Sequence, residues 1–375
     1  MRIVSVVGTR PQLIKAAALS PMLRVRHEEI LVDTGQHYDD ELAGSFYREL
    51  DLAAPEFELG VGGGTHAEQT AAMLAGVEPI LVDRRPDAVL IYGDTNSTLA
   101  GALVAAKLGF PVAHVEAGLR SFDRRMPEEI NRVVADHLST WLFAPTPTAV
   151  DNLRAEGIAD GVVLVGDLMQ DLASRVGRQM ASEDALGVVN ERLAGAVPGL
   201  RLRPGEYLFA TVHRAENREP VALRAWSALL GRVATPERPV ILAIHPGTRL
   251  ALQREGIDRS PDVRLVEPQG YRTSLTLQLH AAAVLTDSGG VQREAAWLRV
   301  PCLVLRGTTE WVEAVAGSGG RMMVVGLDAG VAVEALARLA PTDRSPALAR
   351  ERAATFDLQP AGAAAKIVAA LEVPR

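Results

Sequence analysis

The sequence predicts an α/β protein of two Rossmann-type domains, each a parallel sheet wrapped by helices. Three observations predict it. Short β-branched apolar runs alternate with helical patterns along nearly the whole chain, as parallel strands joined by crossover helices do. At 375 residues the chain exceeds one ordinary core, so two domains are expected. The residues with most chemistry, Arg10, Asp94, Glu116, His213, His245 and Ser288, fall where those runs end. That is the edge at which open α/β sheets bind ligands.

Taken in order, the first set of strands is expected at Ile3–Val7, Glu29–Asp33, Ala88–Tyr92, Val112–Val115, Trp141–Ala144 and Val162–Val165. Helices start near Pro11, Ala67, Ser97, Glu128 and Thr148. After Arg203-Pro204-Gly205 a second set follows at Tyr207–Val212, Val240–Ile244, Val263–Val266, Ala283–Thr286 and Cys302–Leu305. Between Asp167 and Pro204 the pattern is helical and then loses its period, which places the domain connection there. The expected layout is an N-terminal domain over 1–168, a C-terminal domain over 169–358, and a tail over 359–375. In that tail Ala361–Leu371 reads as an alanine-rich amphipathic helix folding back across the domains, with a ligand cleft expected between the two sheets.

Composition excludes several classes. Hydrophobic content of 48% with 23% charged residues is that of a water-soluble globular chain. A net charge of −7 argues against a nucleic-acid surface while allowing a local basic pocket. The single cysteine, Cys302, rules out an internal disulfide framework and fits a reducing compartment. The apolar start is too short for a signal peptide, and no run approaches the roughly 18 apolar residues of a membrane span. A cytoplasmic protein without membrane attachment is expected. Metal is not expected, since His-x-x-x-His pairs and cysteine clusters are absent. Neither a Gly-x-Ser-x-Gly elbow nor a dinucleotide fingerprint is present; Gly62-Gly63-Gly64 opens none, so no nicotinamide cofactor is expected.

The sharpest local signal is Thr286-Asp287-Ser288-Gly289-Gly290-Val291-Gln292-Arg293-Glu294, a strand end followed by two glycines and a helix. Backbone N–H groups and the helix dipole favour an anion there; the same pattern also serves as a plain helix cap. Glu294 lies where a carboxylate can accept from ribose hydroxyls. Gly8-Thr9-Arg10-Pro11-Gln12 with Lys15 opens the first helix and offers two cations, or only a solvated surface. Asp94, Glu116 and Glu128 stand at strand or helix ends, where clustered carboxylates divide acid and base roles. Asp94 and Glu128 can equally be helix-stabilising; Glu116, followed by Ala117-Gly118, has no capping job. His213 and His245 each close a strand of the second set.

Together these segments resemble the non-hydrolysing UDP-N-acetylglucosamine 2-epimerases. The resemblance rests on Gly8-Thr9-Arg10-Pro11 with Lys15, Thr34-Gly35-Gln36-His37, Gly93-Asp94-Thr95-Asn96-Ser97-Thr98 and His114-Val115-Glu116-Ala117-Gly118-Leu119-Arg120. It continues through Pro127-Glu128-Glu129-Ile130-Asn131-Arg132, Thr211-Val212-His213-Arg214-Ala215-Glu216-Asn217, His245-Pro246 and Asp287-Ser288-Gly289-Gly290-Val291-Gln292. What the resemblance implies is a GT-B-like fold and a homodimer acting on a UDP-2-acetamido sugar. The reaction it implies is elimination of UDP to a 2-acetamidoglucal followed by re-addition. By the same resemblance Asp94, Glu116 and Glu128 are the acid/base candidates, in roles not yet divided, with His213 near the diphosphate. Arg10, Lys15, His245, Ser288, Gly289 and Gly290 would hold UDP, Glu294 the ribose, and Gln269 and Tyr271 the uracil.

Three departures point to the branch acting on UDP-2,3-diacetamido-2,3-dideoxyglucuronate. They are Gln12 for a usual glutamate, Trp311 in Thr309-Glu310-Trp311-Val312-Glu313, and the run Gly63–Thr70. Some family members are activated by their own substrate at a second site, of which Gln36 and His37 match a part. The competing readings are a GT-B glycosyltransferase, a hydrolysing epimerase, and a UDP-sugar sensor without turnover.

Overall fold

The computed structural model describes residues 1–36, 47–182, 184–195, 197, 199–309, 311–339, 351–352 and 362–373. The chain divides into two compact units, one of Met1–Leu172 with Pro360–Arg375 and one of Ala173–Gln359. Among the described residues no helix is long and apolar enough to cross a membrane.

In unit 1 the strands are β1 (Arg2–Val7), β2 (Glu28–Asp33), β3 (Phe57–Glu58), β4 (Ala88–Tyr92), β5 (Val112–Val115), β6 (Trp141–Ala144) and β7 (Val162–Leu164). They form one sheet in the order β3-β2-β1-β4-β5-β6-β7, parallel throughout. Strands covered on both faces must be apolar on both, and β4 (AVLIY) is buried at every position. The crossovers are α1 (Arg10–Arg26), α2 (His66–Arg84), α3 (Asn96–Lys107), α4 (Pro127–Leu138) and α5 (Pro147–Ala155). The order reverses between β1 and β4, which makes the carboxyl ends of those strands the switch point.

α6 (Leu168–Ser182) carries the chain out of unit 1, and α14 (Ala363–Leu371) belongs to it again. α14 buries Ala363, Ala364, Ile367, Val368 and Leu371 and lies against α1. Its start is held by Asp171, which accepts from the Ala364 N–H at 2.8 Å, and its end by Arg26, paired with Glu372 at 3.0 Å.

Unit 2 repeats the design with β8 (Leu208–Thr211), β9 (Val240–Ala243), β10 (Val263–Val266), β11 (Ala283–Thr286), β12 (Cys302–Val304) and β13 (Met322–Val324). Their order is β10-β9-β8-β11-β12-β13, again all parallel. Its helices are α7 (Ala185–Ala194), α8 (Pro220–Val233), α9 (Pro246–Arg254), α10 (Tyr271–His280), α11 (Gly289–Trp297), α12 (Val312–Gly317) and α13 (Ala329–Leu339). One core binds α8, α13 and the sheet around the fully buried Trp226, whose Nε1–H reaches the Asn217 carbonyl. Cys302 is buried in β12, where desolvation pushes its thiol up to about 12.

Every expected strand is present; β3 and β13 were not expected. At two and three residues they are too short to show a period; β3 pairs with the edge of the longer β2, and β13 with the equally short β12.

Candidate active site

The carboxyl edge of the unit 1 sheet is built around a close approach. Gly8, just after β1, lies against the hydroxyls of Thr34 and Ser97, where a β-carbon would collide with both. α1 then starts at Arg10, one residue earlier than expected, with Thr9 as N-cap. Gln12 is buried, and its amide donates to the Tyr92 carbonyl at 2.7 Å and to Thr95 and Thr98 at 2.9 and 3.0 Å, while its oxygen accepts from Thr9 N–H at 3.1 Å. A glutamate could not make the donor bonds. Gln12 thereby ties the start of α1 to the loop after β4.

That tie aligns Lys15, one turn further along α1, with the end of β5. Its Nζ is ion-paired with Glu116 Oε2, and both side chains are nearly enclosed, 6% and 11% exposed. Glu116 has φ +74°, a left-handed backbone that a residue with a β-carbon adopts only when its surroundings over-determine it. Sequence reasoning gave Lys15 to the diphosphate; the structure gives it Glu116 as partner.

Asp94 follows β4 and is ion-paired with Arg132 of α4, whose other nitrogen binds Glu129 at 2.7 Å. Asp94 is the more open of the two acids, one third exposed. Burial opposes the Arg132 charge, but Asp94, Glu129 and Glu116 outweigh it and hold its pKa above the ordinary value. Glu129 is buried, and burial alone would raise it. Backbone N–H groups of Ser121 and Phe122, the Ser121 hydroxyl and Arg132 instead hold it below the usual range. Its work is to fix the loop before α4. Glu128 is half-buried in the first turn of α4, one turn before Arg132 and therefore on the same helix face as the Asp94 contact. The edge thus gathers Lys15, Glu116, Asp94, Arg132 and Glu128, of which sequence reasoning missed only Arg132. It lay inside a quoted motif, and nothing local says that it reaches a residue 38 positions away.

Unit 2 presents a different edge. Ser288 is the N-cap of α11 and accepts from Val291 N–H at 3.5 Å; Gly289 and Gly290 form the first turn and are half-buried. The opening therefore keeps its backbone N–H groups where an anion can meet them, and the capping role weighed for Ser288 is also real. Asp287 is fully buried and accepts from the backbone N–H of His213 (3.0 Å) and Arg214 (3.0 Å) and from the Asn217 amide (2.6 Å). That carboxylate, absent from the sequence-level candidates, shapes the loop that displays the exposed His213. His245 caps α9, its Nδ1 accepting from Gly247 N–H at 3.1 Å. Glu294 is buried, with Gln278 donating to it at 2.6 Å. Gln269 donates to the Glu267 carbonyl at 2.5 Å, and the Tyr271 ring is buried at the start of α10, 1% exposed. Arg10 is exposed.

Gln36 accepts from the N–H and hydroxyl of Ser97 at 3.1 and 2.8 Å; His37 and Glu310 lie outside the described residues. Among the described residues no group of three or more His, Cys, Asp and Glu side chains is placed to hold a metal ion.

Comparison with known proteins gives this geometry a context. A family model described as UDP-N-acetylglucosamine 2-epimerase matches residues 23–372. A protein of Methanococcus maripaludis named UDP-N-acetylglucosamine 2-epimerase homolog is 45% identical over 319 residues, 84% of this chain and 86% of its own. The UDP-2,3-diacetamido-2,3-dideoxy-D-glucuronate 2-epimerase of Pseudomonas aeruginosa is 42% identical over 321 residues, again 84% and 86% of the two chains. The crystal structure of the Methanocaldococcus jannaschii UDP-GlcNAc 2-epimerase, in complex with UDP-GlcNAc and UDP, matches with TM-score 0.79 and 36% identity, covering 96% of this chain and 99% of that one. The fold class is the GT-B-like one expected, with a Rossmann-type sheet in each unit. With a family model spanning nearly its whole length and relatives above 40% identity, the chain belongs to the UDP-N-acetylglucosamine 2-epimerase family.

Proposed function

We propose that the chain is a non-hydrolysing 2-epimerase of a UDP-2-acetamido sugar. The observation that carries this is the pair of strand-end carboxylates in unit 1, Asp94 and Glu116, each ion-paired with its own cation. Inverting carbon 2 requires a proton to leave one face and another to arrive on the opposite face, so two proton-transfer groups are needed. One carboxylate takes the C2 proton while the C1–O bond breaks, and the electron pair of the C–H bond forms the C1=C2 bond of a 2-acetamidoglucal. UDP then re-adds at C1 as C2 is protonated from the other side. Glu128 is the third acid within that group. Lys15 orients Glu116 and Arg132 orients Asp94, which fixes the proton-transfer groups before substrate arrives.

The leaving diphosphate needs donors that do not move. In unit 2 the α11 opening at Ser288, Gly289 and Gly290 supplies backbone N–H groups and a helix dipole, with His213 held out on the loop organised by Asp287. Glu294, fixed by Gln278, faces the ribose hydroxyls, and Gln269 serves the base; Arg10 adds a cation for the diphosphate. Likeness to the Pseudomonas aeruginosa enzyme supports a diacetamido-glucuronate substrate alongside UDP-N-acetylglucosamine. A cytoplasmic homodimer is the setting this reading expects.

The test is proton NMR in heavy water with UDP-N-acetylglucosamine, then with UDP-2,3-diacetamido-2,3-dideoxyglucuronate. Deuterium at carbon 2, growth of the manno isomer and only trace free UDP are expected. Turnover of the second compound alone assigns the branch. Absence of exchange with both compounds present together would sink the epimerase reading in favour of a transferase or a sensor.

A further inference from the structure

Beneath the unit 1 carboxylates lies a second charged cluster that takes no part in the reaction just described. His114, in β5, is fully buried, and both ring nitrogens have partners. Nδ1 lies 2.7 Å from Asp136 Oδ1, and Nε2 lies 2.7 Å from the Gly93 carbonyl oxygen. A carbonyl oxygen only accepts, so Nε2 carries a proton. Asp136 Oδ2 accepts from the Gly118 N–H at 3.0 Å and from Arg120 at 2.7 Å, and Arg120 closes a two-pronged pair with Glu156 at 2.6 and 2.7 Å. Burial alone would raise the Asp136 pKa; His114 and then Arg120 outweigh it and hold it below the usual carboxylate range. Nδ1 faces one oxygen of that carboxylate; His114, Arg120 and Asp136 are enclosed, and Glu156 stands at the partly exposed outer end of the chain of contacts.

The ends of this chain of contacts are backbone atoms of two turns. Gly93 O immediately precedes Asp94, and Gly118 N follows Glu116 by two residues. The turns also touch directly: Gly93 N–H reaches the Val115 carbonyl at 3.0 Å, and a β-carbon on Gly93 would stand 3.4 Å from Glu116 Oε2. Gly118, at φ +81°, packs on the Ala149 carbonyl so closely that no side chain fits. We propose that the buried His114–Asp136 pair is a positioning element, locking the Gly93–Asp94 turn to the Glu116–Gly118 turn and so setting the spacing of the two acids. It holds Glu116 in its left-handed backbone from behind, as Lys15 does from the side-chain end.

The proposal rests on the reading of Asp94 and Glu116 as proton-transfer groups, and the experiment separates the two. Asp136→Ala, Asp136→Asn, Asp94→Asn and Glu116→Gln are compared in the full chain for C2 deuterium exchange and for UDP binding by calorimetry. An asparagine can turn its oxygen to Gly118 and Arg120 and its amide N–H to Nδ1, while Nε2–H still reaches Gly93. Asp136→Ala is expected to lower kcat roughly 10- to 100-fold with KM and UDP affinity within about twofold. Asp136→Asn is expected to return kcat to within about threefold of the parent. If Asp136→Ala does not fold, His114→Gln takes its place, keeping a donor for Gly93 and losing the contact with Asp136; the same fall in kcat alone is expected. A full kcat in both disruptive variants, a loss that falls on KM and UDP affinity, or an asparagine as damaging as the alanine would each overturn the positioning role. Exchange that survives in Asp94→Asn and Glu116→Gln would overturn the acid/base reading instead.

Discussion

An aspartate stands just past the strand beside the switch point in both units, Asp94 after β4 and Asp287 after β11. Asp94 is one third exposed and is ion-paired with Arg132. Asp287 is fully buried and spends its oxygens on the His213 and Arg214 backbone and the Asn217 amide. Strand order and position are alike, yet one acid faces outward and the other holds a loop from within. The edges as wholes differ in the same sense. Unit 1 gathers charged side chains, while unit 2 presents backbone N–H groups and a helix dipole. The shared topology supplies a place for a ligand; the neighbours of each side chain decide whether it does chemistry, binding or architecture.

The largest effect should come from the outward acids. Glu116→Gln is expected to lower C2 deuterium exchange by about 10²- to 10⁴-fold with UDP affinity nearly unchanged, read by NMR and calorimetry. Equal loss of UDP affinity would break the division between the units. Asp287→Ala should behave in the opposite way. It strands buried donors and is expected to cost about 3 kcal/mol of stability, measured by denaturant unfolding; an unchanged unfolding midpoint would show that the loop holds itself. Gly290→Asp keeps the α11 helix, since a carboxylate suits a helix start, and sets a negative charge against the diphosphate. UDP affinity should fall roughly 100-fold without loss of stability, and normal UDP binding would remove the α11 opening from the site.

The smallest effect is a difference in acid sensitivity. In unit 2, His280 is pushed down to about 4, first by burial and then by Arg352. The unfolded chain therefore binds a proton there that the folded one does not as pH falls from about 6.5 to about 4. That contribution, on the order of 3 kcal/mol, is whole above about pH 6.5 and drains away across the window. In unit 1 the Asp136 network has its acid depressed, so its contribution is whole above about pH 4 and fades only below it. Hydrogen exchange at pH 5 against pH 7 should show unit 2 amides losing protection first; loss led by β4 and β5 would contradict this.

Much of this was legible in the sequence because parallel strands are continuous apolar runs and their ends are marked by a change in residue type. Glu116 announced itself by having no capping job, and its left-handed backbone is the physical counterpart of that oddity. The partners were not legible. Arg132 meets Asp94, His114 meets Asp136 and Asp287 meets His213 across 38, 22 and 74 positions, distances that only strand order closes. A hint was available: His114 interrupts an otherwise apolar strand, and a buried polar side chain there demands a partner. Ser288 was legible as a cap and as a ligand at once, since both roles use the same N–H-rich helix start; the cap that His245 makes for α9 was not.

The return of α14 to unit 1 has a consequence for how the protein is made. Ribosomes deliver the sheet of unit 1 first and its last helix only after all of unit 2. Until then the face of α1 that receives α14, with Asp171 and Arg26 waiting for the Ala364 N–H and Glu372, has no cover. Unit 2 is, in the order of synthesis, an insertion that can complete itself before the unit that surrounds it, and residues made after it finish the domain begun before it.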